Sequence, residues 1–269
     1  MKNSICTILH LLGWIILSAQ SASGQQSHQL AGMGGYSRNF KEPQSFTINP
    51  AALASIKESG LAISGEQPFM LQELRRYFLA GSFKSNLGNF GILMGTAGFK
   101  NYREMTFGVG YGHSLGKLMA AGMALDYVKA AIPGYNTRAL LGLKLGLLCY
   151  PTDQLTLGLH IKKSVVMNKT NEQKITAGTG FTMGAGYEIS EQLLVATMFE
   201  KTSEKSIGFS ISVQYQFAKL FFVRTCYDAA ENNLGTAAGI GWKKLRLLLS
   251  GSYHPQLGIS PAMMILTYF

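Results

Sequence analysis

Long apolar runs, cysteine and charge are all scarce in this chain of 269 residues. Beyond residue 24 no stretch approaches the ~18 consecutive apolar residues of a membrane-crossing helix, so that part does not span a bilayer as helices. Cysteine occurs only as Cys6, Cys149 and Cys226. The last two fall on opposite faces of the strands expected below, which excludes a disulfide framework. Charged residues make up 14% of the chain, against 47% hydrophobic residues and 31 glycines, where about 25% charged is usual for a soluble domain. A soluble exported protein this apolar would have nowhere to hide its surface.

Chemistry-bearing clusters are missing too. His28, His113, His160 and His254 are scattered, with no cysteine or second histidine at ligand spacing, so neither a metal nor a cofactor is expected. His254 has Ser252 and Ser260 nearby but no local carboxylate; a nucleophile-base-orienter set is incomplete and no catalytic residue is assigned. Gly108-x-Gly110-x-Gly112 lies inside an expected strand rather than between strand and helix, which excludes a nucleotide loop. Asn168-Lys-Thr reads as a polar loop. The net charge of +10 would suggest nucleic acid in a cytosolic protein; in an exported one it reads as basic loops and a polar lumen.

Residues 1–24 read as a secretory signal: Lys2, an apolar stretch over 5–17, then Ala22-Ser23-Gly24 as small residues for cleavage before Gln25. After it, period-two alternation dominates. In 206–217, Ile207, Phe209, Ile211, Val213, Tyr215 and Phe217 alternate with Gly208, Ser210, Ser212, Gln214 and Gln216. Segments 103–114, 138–150 and 154–166 repeat the pattern, and their polar faces carry glycine or a charge. Such segments start near 59, 74, 88, 103, 117, 138, 154, 176, 192, 206, 218, 233, 244 and 261, giving about fourteen strands. Short turns alternate with generally longer connections, among them 67–73, 130–137, 167–174 and 254–261. That alternation, with an even strand number, is the signature of an antiparallel up-and-down transmembrane β-barrel, whose closure satisfies every backbone group in lipid. A soluble periplasmic β-sandwich or small ligand-binding barrel would alternate as well, but its outward stripes would need another layer to bury them. The chain closes on Tyr268 and Phe269, and a terminal aromatic strand resembles the signal read by the bacterial barrel-insertion machinery.

Gly108, Gly110, Gly112, Gly142, Gly146, Gly178, Gly180, Gly184, Gly186, Gly239 and Gly241 fall mostly on the lumen side. Glycine weakens a strand, so these positions make room for something inside. Residues 25–58 precede the first strand and are long enough to cross the lumen. They contain "AGMGGYSRNF" and "INPAALAS": Gly34 and Gly35 permit tight turns, Pro50 confines Asn49 to extended geometry, and Ala51 opens a possible single helical turn. The expected organisation is a signal over 1–24, a hatch over 25–58 and a barrel over 59–269.

A Met-Gly-Gly element followed by Asn-Pro-Ala-x-Leu-Ala resembles the N-terminal region of fatty-acid-transporter-like (FadL-like) outer-membrane barrels. It also resembles their Bacteroidetes relatives PorV and PorQ of the type IX secretion system. "GFKNYRE" at 98–104 and "YHPQLGISP" at 253–261 look like loop elements of the Bacteroidetes branch. The resemblance implies fourteen strands, an N-terminal hatch, residence in the outer membrane and no enzymatic activity. It implies a secretion-associated accessory that binds a protein partner or, alternatively, a transporter of hydrophobic small molecules; a passive porin-like pore is a further alternative. The expected contacts are outer-membrane lipid, the insertion machinery, and secretion-system proteins or a hydrophobic small molecule, with no nucleic acid. Glu104, Asp126, Lys144, Lys162, Glu200, Arg224 and Arg246 are the expected lumen charges, lining a path, holding the hatch or merely solvating the lumen. Pro68, Phe69, Met70 and Leu71 form the candidate partner-binding loop.

Overall fold

A computed structural model describes residues 33–134, 137–167, 176–203, 207–217 and 220–269. Fourteen antiparallel strands run in chain order around a closed barrel. They are β1 (Gly60–Glu66), β2 (Arg76–Phe83), β3 (Asn89–Phe99), β4 (Tyr102–Leu115), β5 (Met119–Ala131), β6 (Arg138–Cys149) and β7 (Leu155–Met167). The circuit continues through β8 (Thr176–Ser190), β9 (Leu193–Thr202), β10 (Gly208–Phe217), β11 (Phe221–Asp228), β12 (Asn233–Trp242), β13 (Leu245–His254) and β14 (Gly258–Tyr268). Closure comes from β1 lying against β14, with Gly60 opposite Tyr268 and Glu66 opposite Ala262. No sheet edge is left to template aggregation.

Alternation sets the two faces. Met105, Phe107 and Val109 on β4, and Leu141, Leu143 and Leu145 on β6, point outward and are 41–56% exposed. Among the described residues no second layer covers them and the sheet closes on itself, which overturns the soluble-sandwich alternative: the apolar stripes face whatever surrounds the barrel. Among the described residues no helix is long and apolar enough to cross a membrane. Cys149 faces out and Cys226 is buried inside; both are free.

Each strand begins within three residues of its expected start. The largest differences are at β11 and β14. The expected irregular loop over 254–261 is mostly strand, because β14 starts at Gly258 with φ +90° and takes in Pro261. Proline fits there because β1 has already ended: the Pro261 carbonyl accepts the Gln67 N–H at 2.9 Å on that side, so no ladder donor is lacking. The connection between β3 and β4 is as short as a turn, Lys100 and Asn101 alone.

The apolar core lies inside the barrel. Residues 33–56 run through it as three short 3-10 helices, Met33–Tyr36, Ser45–Thr47 and Pro50–Ser55. Tyr36, Ala51 and Ala52 pack on Ala120, Leu148 and Tyr150, while Phe46 and Leu53 pack on Ala80 and Leu93. A separate cluster of Ala62, Phe222, Ala237, Leu248, Met264 and Leu266 fills the wall opposite.

Candidate functional site

The inner segment occupies the half of the lumen nearest the C-terminal residue Phe269 and the short turns. Its position is written in which wall glycines it touches. A Cβ at Gly91 would stand 3.0 Å from the Phe46 ring, at Gly110 3.1 Å from Leu53, and at Gly112 2.7 Å from Leu53. At Gly122 it would overlap Pro50, at Gly146 the Asn49 side chain, and at Gly158, Gly184 and Gly186 the ring or carbonyl of Tyr36. Toward the loops the lumen glycines are free of it: added carbons at Gly95, Gly142 and Gly180 meet nothing closer than 3.6 Å. Gly178 has a different reason, a φ of +119° near the irregular β7–β8 register. Gly108, Gly239 and Gly241 make room for wall side chains, Asp126, Phe222 and Arg246 respectively.

Asn49 and Pro50 start the third 3-10 helix. Asn49 is extended (φ −139°, ψ 117°) as the following proline demands, and its Oδ1 accepts the Ala51 N–H at 3.0 Å as an N-cap. The Asn49 Nδ2 donates to the wall carbonyls of Leu147 (3.4 Å) and Leu159 (3.3 Å). At the far end Asn89 of β3 donates to the Leu53 carbonyl at 2.7 Å. Gly34 and Gly35 lie where a side chain would overlap Phe40 and Ile48.

Two buried carboxylates anchor the segment. Glu42, 3% exposed, receives both terminal nitrogens of Arg224 on β11, one at 3.0 Å, with Gln44 donating at 2.7 Å and Arg246 3.9 Å away. Arg224 also stacks 5.0 Å from the Phe222 ring centroid. Three strands along the wall, Glu188 of β8 accepts from the segment: Ser37 Oγ at 2.8 Å, Arg38 N at 2.6 Å, and Asn39 N and Nδ2 at 3.1 and 2.7 Å. Between them Lys41 reaches Ser55 Oγ and, at 3.1 Å, Tyr150 Oη. Burial lowers the Lys41 ammonium from 10.5 to about 7, against the opposing pull of Glu188. Burial likewise raises the Tyr36 and Tyr150 phenols.

Among the expected lumen charges, then, Arg224 and Arg246 face the segment. Asp126 and Lys144 instead pair with each other at 2.5 Å, and Glu104 accepts from Tyr102 at 2.9 Å. Lys162 and Glu200 lie on the same lumen side; Lys162 is exposed to lumen solvent. Glu188, Lys41 and Tyr36 were not singled out from the sequence. Glu188 could have been, as a carboxylate on the glycine face of 176–190; nothing in the sequence places Tyr36 over its glycines.

The loop over 68–71 is ordered but smaller than expected as a docking surface. Pro68 is buried, and Phe69 donates to Ser260 Oγ at 2.9 Å and packs edge-on to His254. Only Met70 and Leu71, 61% and 50% exposed, remain outside. At the C-terminus Tyr268 turns into the lumen, 5.5 Å below the Arg246 guanidinium, and Phe269 faces out.

A small recess lies between segment and wall. Met33, Tyr36 and Ile48 line it from one side and Ala196, Met198 and Cys226, with Ser210 and Ser212, from the other. Among the described residues no three His, Cys, Asp or Glu side chains converge on a metal position.

No family model matches the chain, and no curated protein matches it in sequence. Solved structures do. The CymD monoaromatic hydrocarbon channel aligns with TM-score 0.61 at 12% identity, over 89% of this chain and 96% of that one. The toluene transporter TodX of P. putida aligns at 0.61 and 10% identity, over 86% and 95%. A FadL homologue of Pseudomonas aeruginosa gives 0.55 and 10%, over 87% and 96%. At such identities the likeness is one of architecture: this chain has the fold of these hydrocarbon channels and transporters.

Proposed function

We propose that this protein is a bacterial outer-membrane channel for small hydrophobic molecules, closed on its periplasmic side by residues 33–56 acting as a hatch. The observation that carries this reading is the division of the lumen. The turn-side half is filled by a segment held through side chains rather than by strand pairing, and the loop-side half keeps bare glycines and a solvated Lys162. The recess between Met33, Tyr36, Ile48 and Met198, about 20 Å³ and so no larger than a water needs, would have to widen as the segment moves for a small hydrophobic molecule to enter there. The FadL-like resemblance of the Asn-Pro element and the fold shared with hydrocarbon channels support the same class. A filled turn-side lumen does not favour a passive pore.

A second reading, a PorV/PorQ-type accessory of type IX secretion, is favoured by one observation: the first loop presents Met70 and Leu71 to solvent. Affinity capture of the intact protein from native membranes, followed by mass spectrometry of bound small molecules, lipids and proteins, separates the two. Recovery of a bound apolar small molecule that is lost in Met198→Trp supports the channel. A stoichiometric protein partner lost on Met70→Ser/Leu71→Ser, with no small molecule, replaces it by the accessory.

A further inference from the structure

Three sulfur-bearing side chains line one recess of about 20 Å³ between the inner segment and the wall: Met33 from the segment, Met198 of β9 and Cys226 of β11. Met33 and Cys226 are only 5% and 3% exposed. Strand register explains why the two wall residues share it. Ser210 of β10 lies opposite Met198 and Ser212 lies opposite Cys226, so all four border the lumen on three consecutive strands. The two serines are small, which leaves the space that the thiol and the thioethers surround.

Size and donor chemistry both select an occupant. A recess of this volume holds one water-sized body, too little for an organic ligand but enough for a single bare metal ion. Thiol and thioether sulfurs are soft donors suited to copper(I), whereas calcium and magnesium take oxygen, and thioethers are not among the usual ligands of zinc. Cys226 binds a metal as its thiolate, releasing the proton to solvent. A monovalent ion then leaves the buried site neutral, while a divalent one would bury a net charge. The surrounding field also favours a cation. The next lumen positions toward the loops, Glu200 on β9 and Asp228 on β11, are carboxylates, and Arg224, the next toward the turns, is neutralised by Glu42. Tyr36 lines the same recess, its hydroxyl buried with no hydrogen-bond partner among the described residues, and the Cys226 thiolate supplies an acceptor there.

We propose that Met33, Met198 and Cys226 form a three-sulfur site for a soft monovalent cation, copper(I) by its chemistry, which ties the inner segment to β9 and β11. Histidine, cysteine and carboxylate spacing does not reveal such a site, because two of its three donors are thioethers. The site stands on the recess alone and does not depend on what the channel carries.

The test uses the intact protein purified in detergent, titrated anaerobically with copper(I) supplied as its acetonitrile complex or with zinc(II), and then freed of loose metal by gel filtration. Bound metal is counted by native mass spectrometry, near-ultraviolet thiolate-to-copper(I) absorption reports the ligand, and heat-modifiable gel migration monitors assembly. The expected result is one copper(I) per chain and no retained zinc(II), with the amides of 33–48 exchanging severalfold more slowly in the copper-loaded protein. Cys226→Ser abolishes retention, and Met198→Leu weakens it by about tenfold or more. Cys149→Ser, on the outward face, leaves it unchanged. Because Met198→Leu conserves volume, the barrel stays assembled and the loss is read on an intact fold. No copper(I) on the assembled wild type, retention that survives Cys226→Ser, or zinc(II) held to the same extent overturns the site, and each leaves the channel reading standing.

Discussion

Glu42 of the inner segment and Arg224 of β11 form a two-point ion pair with side chains only 2% and 1% exposed. Such a pair adds little net stability compared with well-packed apolar side chains, but removing one partner strands a buried charge at a cost of about 3–5 kcal/mol. Arg224→Met should therefore release the segment while the barrel, whose strands pair independently of it, still assembles. Hydrogen exchange of the amides in 45–56 should speed up by orders of magnitude in Arg224→Met. The double change Glu42→Leu/Arg224→Met should recover much of the protection.

The lumen glycines offer a steric test. Gly122→Val and Gly146→Val place carbon where Pro50 and Asn49 sit, whereas Gly142→Ala and Gly180→Ala meet only ordinary contacts at 3.6–3.9 Å. Limited proteolysis should cut the inner segment far faster in the first pair and at the wild-type rate in the second.

Asn49→Ala removes the N-cap on Ala51 and two bonds to the wall. Loss of a cap costs about 1 kcal/mol, so the expected outcome is a looser segment in an assembled barrel, read as increased protease sensitivity with unchanged heat-modifiable migration. If assembly itself is abolished, the Asn-Pro element is a folding element and its gating role fails.

Docking of the segment should depend on pH through Lys41, which faces Arg38, Glu188, Ser55 and Tyr150. Its ammonium is lowered from 10.5 to about 7 when docked. Between those values the released segment binds the proton and the docked one does not, so docking strengthens as pH rises from about 7 towards 10.5 and is flat below 7. Exchange protection of 41–56 should be higher at pH 9.5 than at pH 7, and Lys41→Met should flatten the difference.

Much of the fold was legible because one physical rule, alternation between an apolar outer face and a small or polar lumen face, writes itself into nearly every strand. Phe209, Ile211 and Val213 could only face outward once their neighbours were serine. The loop-end boundary of β14 was not legible, because proline normally ends a strand and only the early end of β1 spares Pro261 a missing hydrogen bond. Within the candidate site, glycine spacing announced an occupant and Asn49-Pro50 marked part of it. Glu42–Arg224 and Glu188–Ser37 could not be read, since they join residues 182 and 151 positions apart through a lumen whose register no local pattern encodes.

The central claim is that residues 33–56 close the channel. Single-channel recording in planar bilayers compares the wild type with Glu42→Gln/Asn49→Ala, both first shown to migrate as assembled barrels. The account predicts a wild type that is closed most of the time and a variant with frequent, larger openings. Equal conductance in the two, or a wild type that stands open, would contradict it.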